Sequence, residues 1–289
     1  MSANFWQIIL LGLIQGAAEL LPVSSSAHVI VAEKLMQLDP ASPEMTFLLV
    51  MLHTGTMLAV IAYFWKAWKR DYFSSRVNFR EMLGNVAIAT GFTLVVGYGL
   101  KVLIEKVFMH GQDKAEMEQL FANLPLIAAA LAAAGVLIIV SGLKERRSAR
   151  KGGIGLRAAA VIGVVQGFCL PFRGFSRSGA TISTGLLLGA AKQRVEEFSF
   201  ALAVILTPPA IAVELHRLLK AHPEVAHPAE LLQLAKPGLF GMVCSFVAGL
   251  LALRVLSRWL EAGRWQHFGF YCLVAAAVVW GLSQTAAYG

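Results

Sequence analysis

Charge is scarce in this sequence. Only 15% of its residues are Asp, Glu, Lys or Arg, against about 25% in soluble domains. No polar block is long enough to form a soluble domain, and 57% of the residues are hydrophobic. There is no lysine or arginine before Lys34, so the basic start of a signal peptide is missing and residues 1–21 are expected to remain as structure. Cysteine is nearly absent too. Cys169, Cys244 and Cys272 are odd in number and lie in apolar stretches, so they read as small buried apolar residues rather than as a disulfide framework or a metal site. The net charge of +8 does not point to nucleic acid, because the basic residues cluster in KAWKRDYFSSRVNFR (66–80), in KERRSARKGG (144–153) and around Arg254, Arg258 and Arg264. Short basic segments between apolar runs are the pattern that orients a chain in a bilayer.

What fills the sequence is apolar runs of spanning length, about 20 residues each. The pattern predicts an all-α polytopic membrane protein, a single integral membrane domain over 1–289. Six full spans are expected near 45–65, 82–106, 121–143, 197–217, 236–257 and 267–287. Two further apolar segments, 4–37 and 154–190, are broken in the middle by Pro22 and by PFRG (171–174), and each predicts a re-entrant hairpin of two half-helices. With the basic loops in the cytoplasm, the first hairpin enters from outside and the second from inside, and both chain ends face outward. Trp65, Trp68, Trp259 and Trp265 flank basic residues and are expected to anchor the inner interface.

An internal repeat agrees with this layout. QGAAELLPVSSSAH (15–28) aligns with QGFCLPFRGFSRSG (166–179), pairing Gln15 with Gln166, Gly16 with Gly167 and Ser25 with Ser176. EMTFLLVMLHTGTMLAV (44–60) aligns with EFSFALAVILTPPAIAV (197–213), pairing Glu44 with Glu197, Phe47 with Phe200 and Thr54 with Thr207. Each half, about 1–150 and 151–289, is then a hairpin plus three spans. An odd number of spans inverts the second copy and brings the broken helices together near the midplane.

The chemistry concentrates at those breaks. Gln15 and Glu19 share one helix face, and an ionisable group in a span is costly unless it meets a partner or a wet cavity. Their oxygens suit a hard cation, Mg²⁺ or Ca²⁺, whose shell substrate phosphates would have to complete; the alternative is a neutral Glu19 bonded between helices. Ser24, Ser25, Ser26 and His28 follow Pro22. Ser24 fits a helix N-cap, while Ser25 and His28, three apart, read either as a nucleophile beside its base or as a serine near a hydrogen-bonded core histidine. In GFSRSGAT (174–181), Gly174 permits close approach of a ligand, and Ser176, Ser178 and Thr181 offer hydroxyls. Arg177 demands an anion, and its planar fork matches phosphate; a structural ion pair with Glu19 is the alternative.

These two stretches resemble the two signature motifs of the bacterial undecaprenyl-diphosphate phosphatases, the bacitracin-resistance family of integral membrane enzymes. The resemblance extends over essentially the whole chain. It implies hydrolysis of undecaprenyl diphosphate to undecaprenyl phosphate and phosphate, which recycles the lipid carrier of cell-wall synthesis. It also implies divalent-cation dependence and a location in the bacterial inner membrane with the site open to the periplasm. Carried over by position, Gln15 and Glu19 match the metal-associated pair, Ser25 the proposed nucleophile, His28 the catalytic histidine and Arg177 the phosphate-binding arginine. Ser26, Ser176, Ser178 and Thr181 match the surrounding hydroxyls. The chain departs from the pattern at Arg173, where the family signature has proline; Arg173 is then either a second phosphate contact or a snorkelling side chain. The expected partners are a prenyl diphosphate lipid and the membrane, with no nucleic acid; a homodimer is compatible with this layout. An inverted-repeat transporter or lipid-carrier flippase is the rival reading.

Overall fold

The computed structural model describes residues 3–40, 42–108, 123–145, 152–223 and 227–284. Residues 109–122, most of the basic segment 144–153 and the end of the last expected span lie outside them. Ten helices make up the described residues: α1 (Phe5–Leu20), α2 (Ser25–Leu35), α3 (Pro43–Asp71), α4 (Arg76–Phe108), α5 (Leu124–Glu145), α6 (Leu156–Cys169), α7 (Arg177–Leu187), α8 (Lys192–Ala221), α9 (Pro228–Glu261) and α10 (Gln266–Ser283).

Six of these, α3, α4, α5, α8, α9 and α10, are long and apolar enough to cross a membrane. The two broken segments become the helix pairs α1–α2 and α6–α7. At about 1.5 Å per residue, the 16 residues of α1 and the 14 of α6 fall short of a bilayer core about 30 Å thick. Helix lengths run 16, 11, 29, 33 and 22 residues through α5, then 14, 11, 30, 34 and 18, so the order of two short helices and three long ones occurs twice.

The packing crosses between these two series. α1 lies on α9 and α6 on α4, α3 packs on α9 and α8 on α4, and α5 pairs with α10. Within lipid there is little hydrophobic drive for helices to associate, so close backbone approach at small residues has to supply the contact. Gly12 and Gly16 do so on α1, where an added Cβ would come 2.7 Å from Cys244 Cβ and 2.5 Å from the Ser245 carbonyl. Gly163 and Gly167 do so on α6, against Ala89 and Val96. A central core of Leu20, Ile127, Leu131, Ile182, Phe200 and Leu253 fills the space beneath the helix breaks.

The tryptophans divide. Trp65 and Trp259 are exposed, in keeping with the interfacial expectation. Trp68 and Trp265 are buried instead: Trp68 donates to the Glu197 carbonyl, and the Trp265 indole reaches the hydroxyls of Ser141 and Ser183. Buried indoles need an acceptor, and these two found theirs inside the bundle.

Candidate active site

Both breaks end a helix and start another within a few residues. α1 stops at Leu20 because Leu21 turns extended ahead of Pro22, and α2 starts at Ser25. Ser24 holds φ at 69°, a left-handed conformation that costs a non-glycine residue about 1–3 kcal/mol. Ser24 occupies the N-cap position but makes no capping bond through its side chain; its Oγ lies 3.3 Å from Ser26 Oγ. In the second break Gly174 has φ of +100°, and a Cβ there would meet the Ile127 carbonyl at 2.5 Å, so only glycine fits. Ser176 caps α7, its Oγ accepting from the Gly179 amide at 3.2 Å.

The two breaks meet. Arg177 Nη2 donates to Glu19 Oε1 at 2.7 Å. Glu19 Oε2 accepts from Ser25 Oγ at 2.6 Å and from Gln15 Nε2 at 3.2 Å. The Gly174 amide donates to Ser26 Oγ at 3.3 Å, and Ser178 Oγ to the Leu21 carbonyl at 3.4 Å. A cavity of about 200 Å³ opens between them, lined by Glu19, Ser24, Ser25 and Ser26 from one break and by Arg173, Ser176, Arg177 and Ser178 from the other, with Ala18, Cys169, Leu170, Phe172 and Phe175 as its apolar walls. The N-termini of α2 and α7 both face this space, so two sets of first-turn amides and two positive dipole ends favour an anion there. Arg177 Nη1 is buried with no hydrogen-bond partner among the described residues, leaving one guanidinium donor unspent.

Thr181 stands one turn behind Arg177 and is fully buried; its hydroxyl bonds the Arg177 carbonyl at 2.9 Å and lies 2.6 Å from Ser199 Oγ. It therefore supports α7 and does not line the cavity. His28 also turns away. Its Nδ1 donates to the Ser24 carbonyl at 2.7 Å, which leaves Nε2 as acceptor for the Tyr271 hydroxyl at 2.7 Å. Of the two readings that the spacing of Ser25 and His28 left open, the resting structure has the hydrogen-bonded histidine: the imidazole bonds Ser24 and Tyr271 while Ser25 bonds Glu19.

Two neighbours were not foreseen. Tyr271 is brought in by α10 from the far end of the chain. His53, on α3, donates Nδ1–H to the Leu49 carbonyl at 2.8 Å and places its Nε2 3.9 Å from Glu19 Oε2. A histidine inside an apolar span satisfies the same test that marked Glu19 and Arg177; its spacing from them gave no hint that it shares their site.

The donor set for a metal is narrow. Among the described residues no group of three His, Cys, Asp or Glu is arranged to hold one. Glu19 and Gln15 do fit as part of a shell. Two oxygens at right angles on Mg²⁺ sit about 3 Å apart, given metal–oxygen distances near 2.1 Å, and turning the Gln15 amide over places its oxygen where the nitrogen now stands 3.2 Å from Glu19 Oε2.

Comparison with known proteins adds independent information. The family model described as "Bacitracin resistance protein BacA" matches residues 8–278. The chain is 57% identical over 274 residues to "Undecaprenyl-diphosphatase 2" of Acinetobacter baylyi, covering 94% of this chain and 95% of that one. It is 31% identical to "Undecaprenyl-diphosphatase" of Desulfosudis oleivorans (94% and 96% covered) and 32% identical to "Undecaprenyl-diphosphatase 1" of Burkholderia pseudomallei (94% of each).

Proposed function

Because the chain belongs to the bacitracin resistance protein family, we infer that it hydrolyses undecaprenyl diphosphate to undecaprenyl phosphate and inorganic phosphate, as a multi-pass membrane enzyme. Bacitracin resistance, typical of the family, follows from the same activity. One observation carries the inference most: a Glu19–Arg177 ion pair joins the two helix breaks over a serine-lined cavity, with a buried guanidinium nitrogen left unpartnered. A cavity of this make takes a phosphate headgroup.

The proposed chemistry begins with the headgroup displacing Glu19 from Arg177, whose fork then binds phosphate oxygens and neutralises charge on the transferred group. Ser25 Oγ attacks the terminal phosphorus, and the 2.6 Å contact with Glu19 Oε2 supports Glu19 as acceptor of the hydroxyl proton. The new Oγ–P bond forms as the P–O bond to the bridging oxygen breaks, and undecaprenyl phosphate leaves with that electron pair. Water then attacks the serine phosphate, the Oγ–P bond breaks, Ser25 recovers its proton and phosphate departs. His28, which its bonds to Ser24 and Tyr271 turn from the cavity at rest, is assigned the activation of that water once it has released the Tyr271 hydroxyl and swung toward Ser25. Glu19 and Gln15 are the residues that would hold a divalent cation, Mg²⁺ or Ca²⁺, which would supply further neutralisation of the diphosphate. The cavity is assigned to the periplasmic side of the inner membrane, with the prenyl tail left in lipid.

Phosphate release by the purified protein in detergent micelles tests this. Ser25→Ala is expected to lower the rate by about 10³-fold or more, and EDTA to abolish it reversibly, with recovery on adding Mg²⁺. Unchanged release from Ser25→Ala would remove the serine from the chemistry. A protein that frees no phosphate in micelles, yet moves the lipid across vesicles, is a carrier.

A further inference from the structure

The two oxygens of Glu19 have different company. Oε1 accepts from the Arg177 guanidinium at 2.7 Å, whereas Oε2 is the oxygen beside Ser25, Gln15 and the imidazole of His53. His53 comes from α3, while Gln15 and Glu19 belong to α1. A histidine in an apolar span is costly unless it meets a partner, and this ring is held in a defined orientation. Its Nδ1 bonds the Leu49 carbonyl one turn back at 2.8 Å. A carbonyl only accepts, so the neutral ring carries its proton on Nδ1 and its lone pair on Nε2. Histidines that bind metals are fixed in this way: one nitrogen takes the ion and the other donates to a backbone carbonyl or a carboxylate.

We propose that His53 Nε2 is a third protein donor to the divalent cation, beside Glu19 Oε2 and the Gln15 amide oxygen. Two donors about 2.1 Å from one ion stand at most about 4.2 Å apart. Nε2 and Oε2, 3.9 Å apart, are inside that limit. Gln15 Nε2 is 3.2 Å from the same Oε2. With the amide turned over, two oxygens face each other at that distance, an arrangement that a cation between them stabilises. The donors then come from two helices and join one nitrogen to two oxygens. Mg²⁺ and Ca²⁺ prefer oxygen throughout, while an imidazole favours transition-metal ions, so His53 raises the preference for Mn²⁺ over Mg²⁺. This inference rests on reading the cavity as a metal-assisted diphosphate site.

Electron spin echo spectroscopy of Mn²⁺ on the full-length protein in detergent, with inorganic phosphate added to complete the shell, tests this without turnover. The wild-type protein is expected to show nitrogen modulation of the Mn²⁺ signal, which changes isotope when histidine alone is labelled with ¹⁵N. His53→Gln is expected to abolish the modulation and to weaken Mn²⁺ about tenfold, with Mg²⁺ affinity within about twofold. If the glutamine variant does not accumulate, His53→Asn, which also lacks the imidazole, replaces it with the same expectation. An imidazole that only pairs with Glu19 gives no modulation. That result in the wild-type protein, or modulation that survives the loss of His53, overturns the proposal. Intact modulation in a protein that releases no phosphate from undecaprenyl diphosphate instead overturns the hydrolase reading and leaves the ligand in place.

Discussion

Arg177 occupies the first turn of α7, where the helix dipole opposes a positive charge, and it does so in an apolar bundle. Two penalties at one residue need an anion to offset them. Glu19 supplies it at rest, and in the proposed reaction the phosphate does. Arg177→Ala is therefore expected to lower kcat/KM by about 10²–10³-fold. Arg177→Lys should recover little of this, because an ammonium cannot hold Glu19 or phosphate through a planar fork. Phosphate-release kinetics on both variants check this; a lysine variant near wild-type rates would mean that charge alone suffices. This part of the site was legible in the sequence because charge in a membrane is expensive wherever it stands, so Gln15, Glu19, Ser25 and Arg177 declared themselves by being there. The direction of His28 was not. A spacing of three puts two residues on one side of a helix, but the χ angles and the available partner decide where a ring points, and Tyr271 arrives from another helix altogether. His53 escaped for a related reason: it faces Glu19 only through the packing of α3 beside α1.

The long helices follow from apolar length alone, and their extra turns beyond the expected spans carry charged residues, such as Lys192 and Arg194 or Arg258 and Glu261, which composition windows discard. The packing between helices was less readable, since a glycine in an apolar run marks close approach without naming the partner. Gly163 illustrates what the structure adds. A Cβ there would overlap the backbone of Ala89, whereas at Gly84 and Gly91 on α4 it would meet nothing within 4 Å. Gly163→Ala is therefore expected to destabilise the protein by about 1–3 kcal/mol through overpacking at the α4–α6 contact. Gly91→Ala should be neutral or stabilising by up to about 1 kcal/mol, because alanine has the better helix propensity. Thermal unfolding in detergent distinguishes them. Equal melting temperatures for the two variants would mean that α6 does not press on α4 as described.

At the scale of the whole molecule, the notable feature is that each short first helix lies on the fourth helix of the other series, α1 on α9 and α6 on α4. Each half supplies the surface the other's broken helix rests on, and the site forms only where the two breaks meet. That arrangement makes a prediction about orientation. If the two series are inverted copies, the short connection between α3 and α4 and the one between α8 and α9 must lie on opposite faces of the membrane. Lys69, Arg70, Arg76 and Arg80 gather at the first of these, and basic residues favour the cytoplasmic side. With Cys169, Cys244 and Cys272 replaced by alanine, a cysteine at Ser74 should react with a membrane-impermeant maleimide only after the cells are permeabilised. A cysteine at His227 should react in intact spheroplasts. Labelling of both from the same side would mean that the second series is not inverted, and the breaks would then have to reach each other from one face of the bilayer.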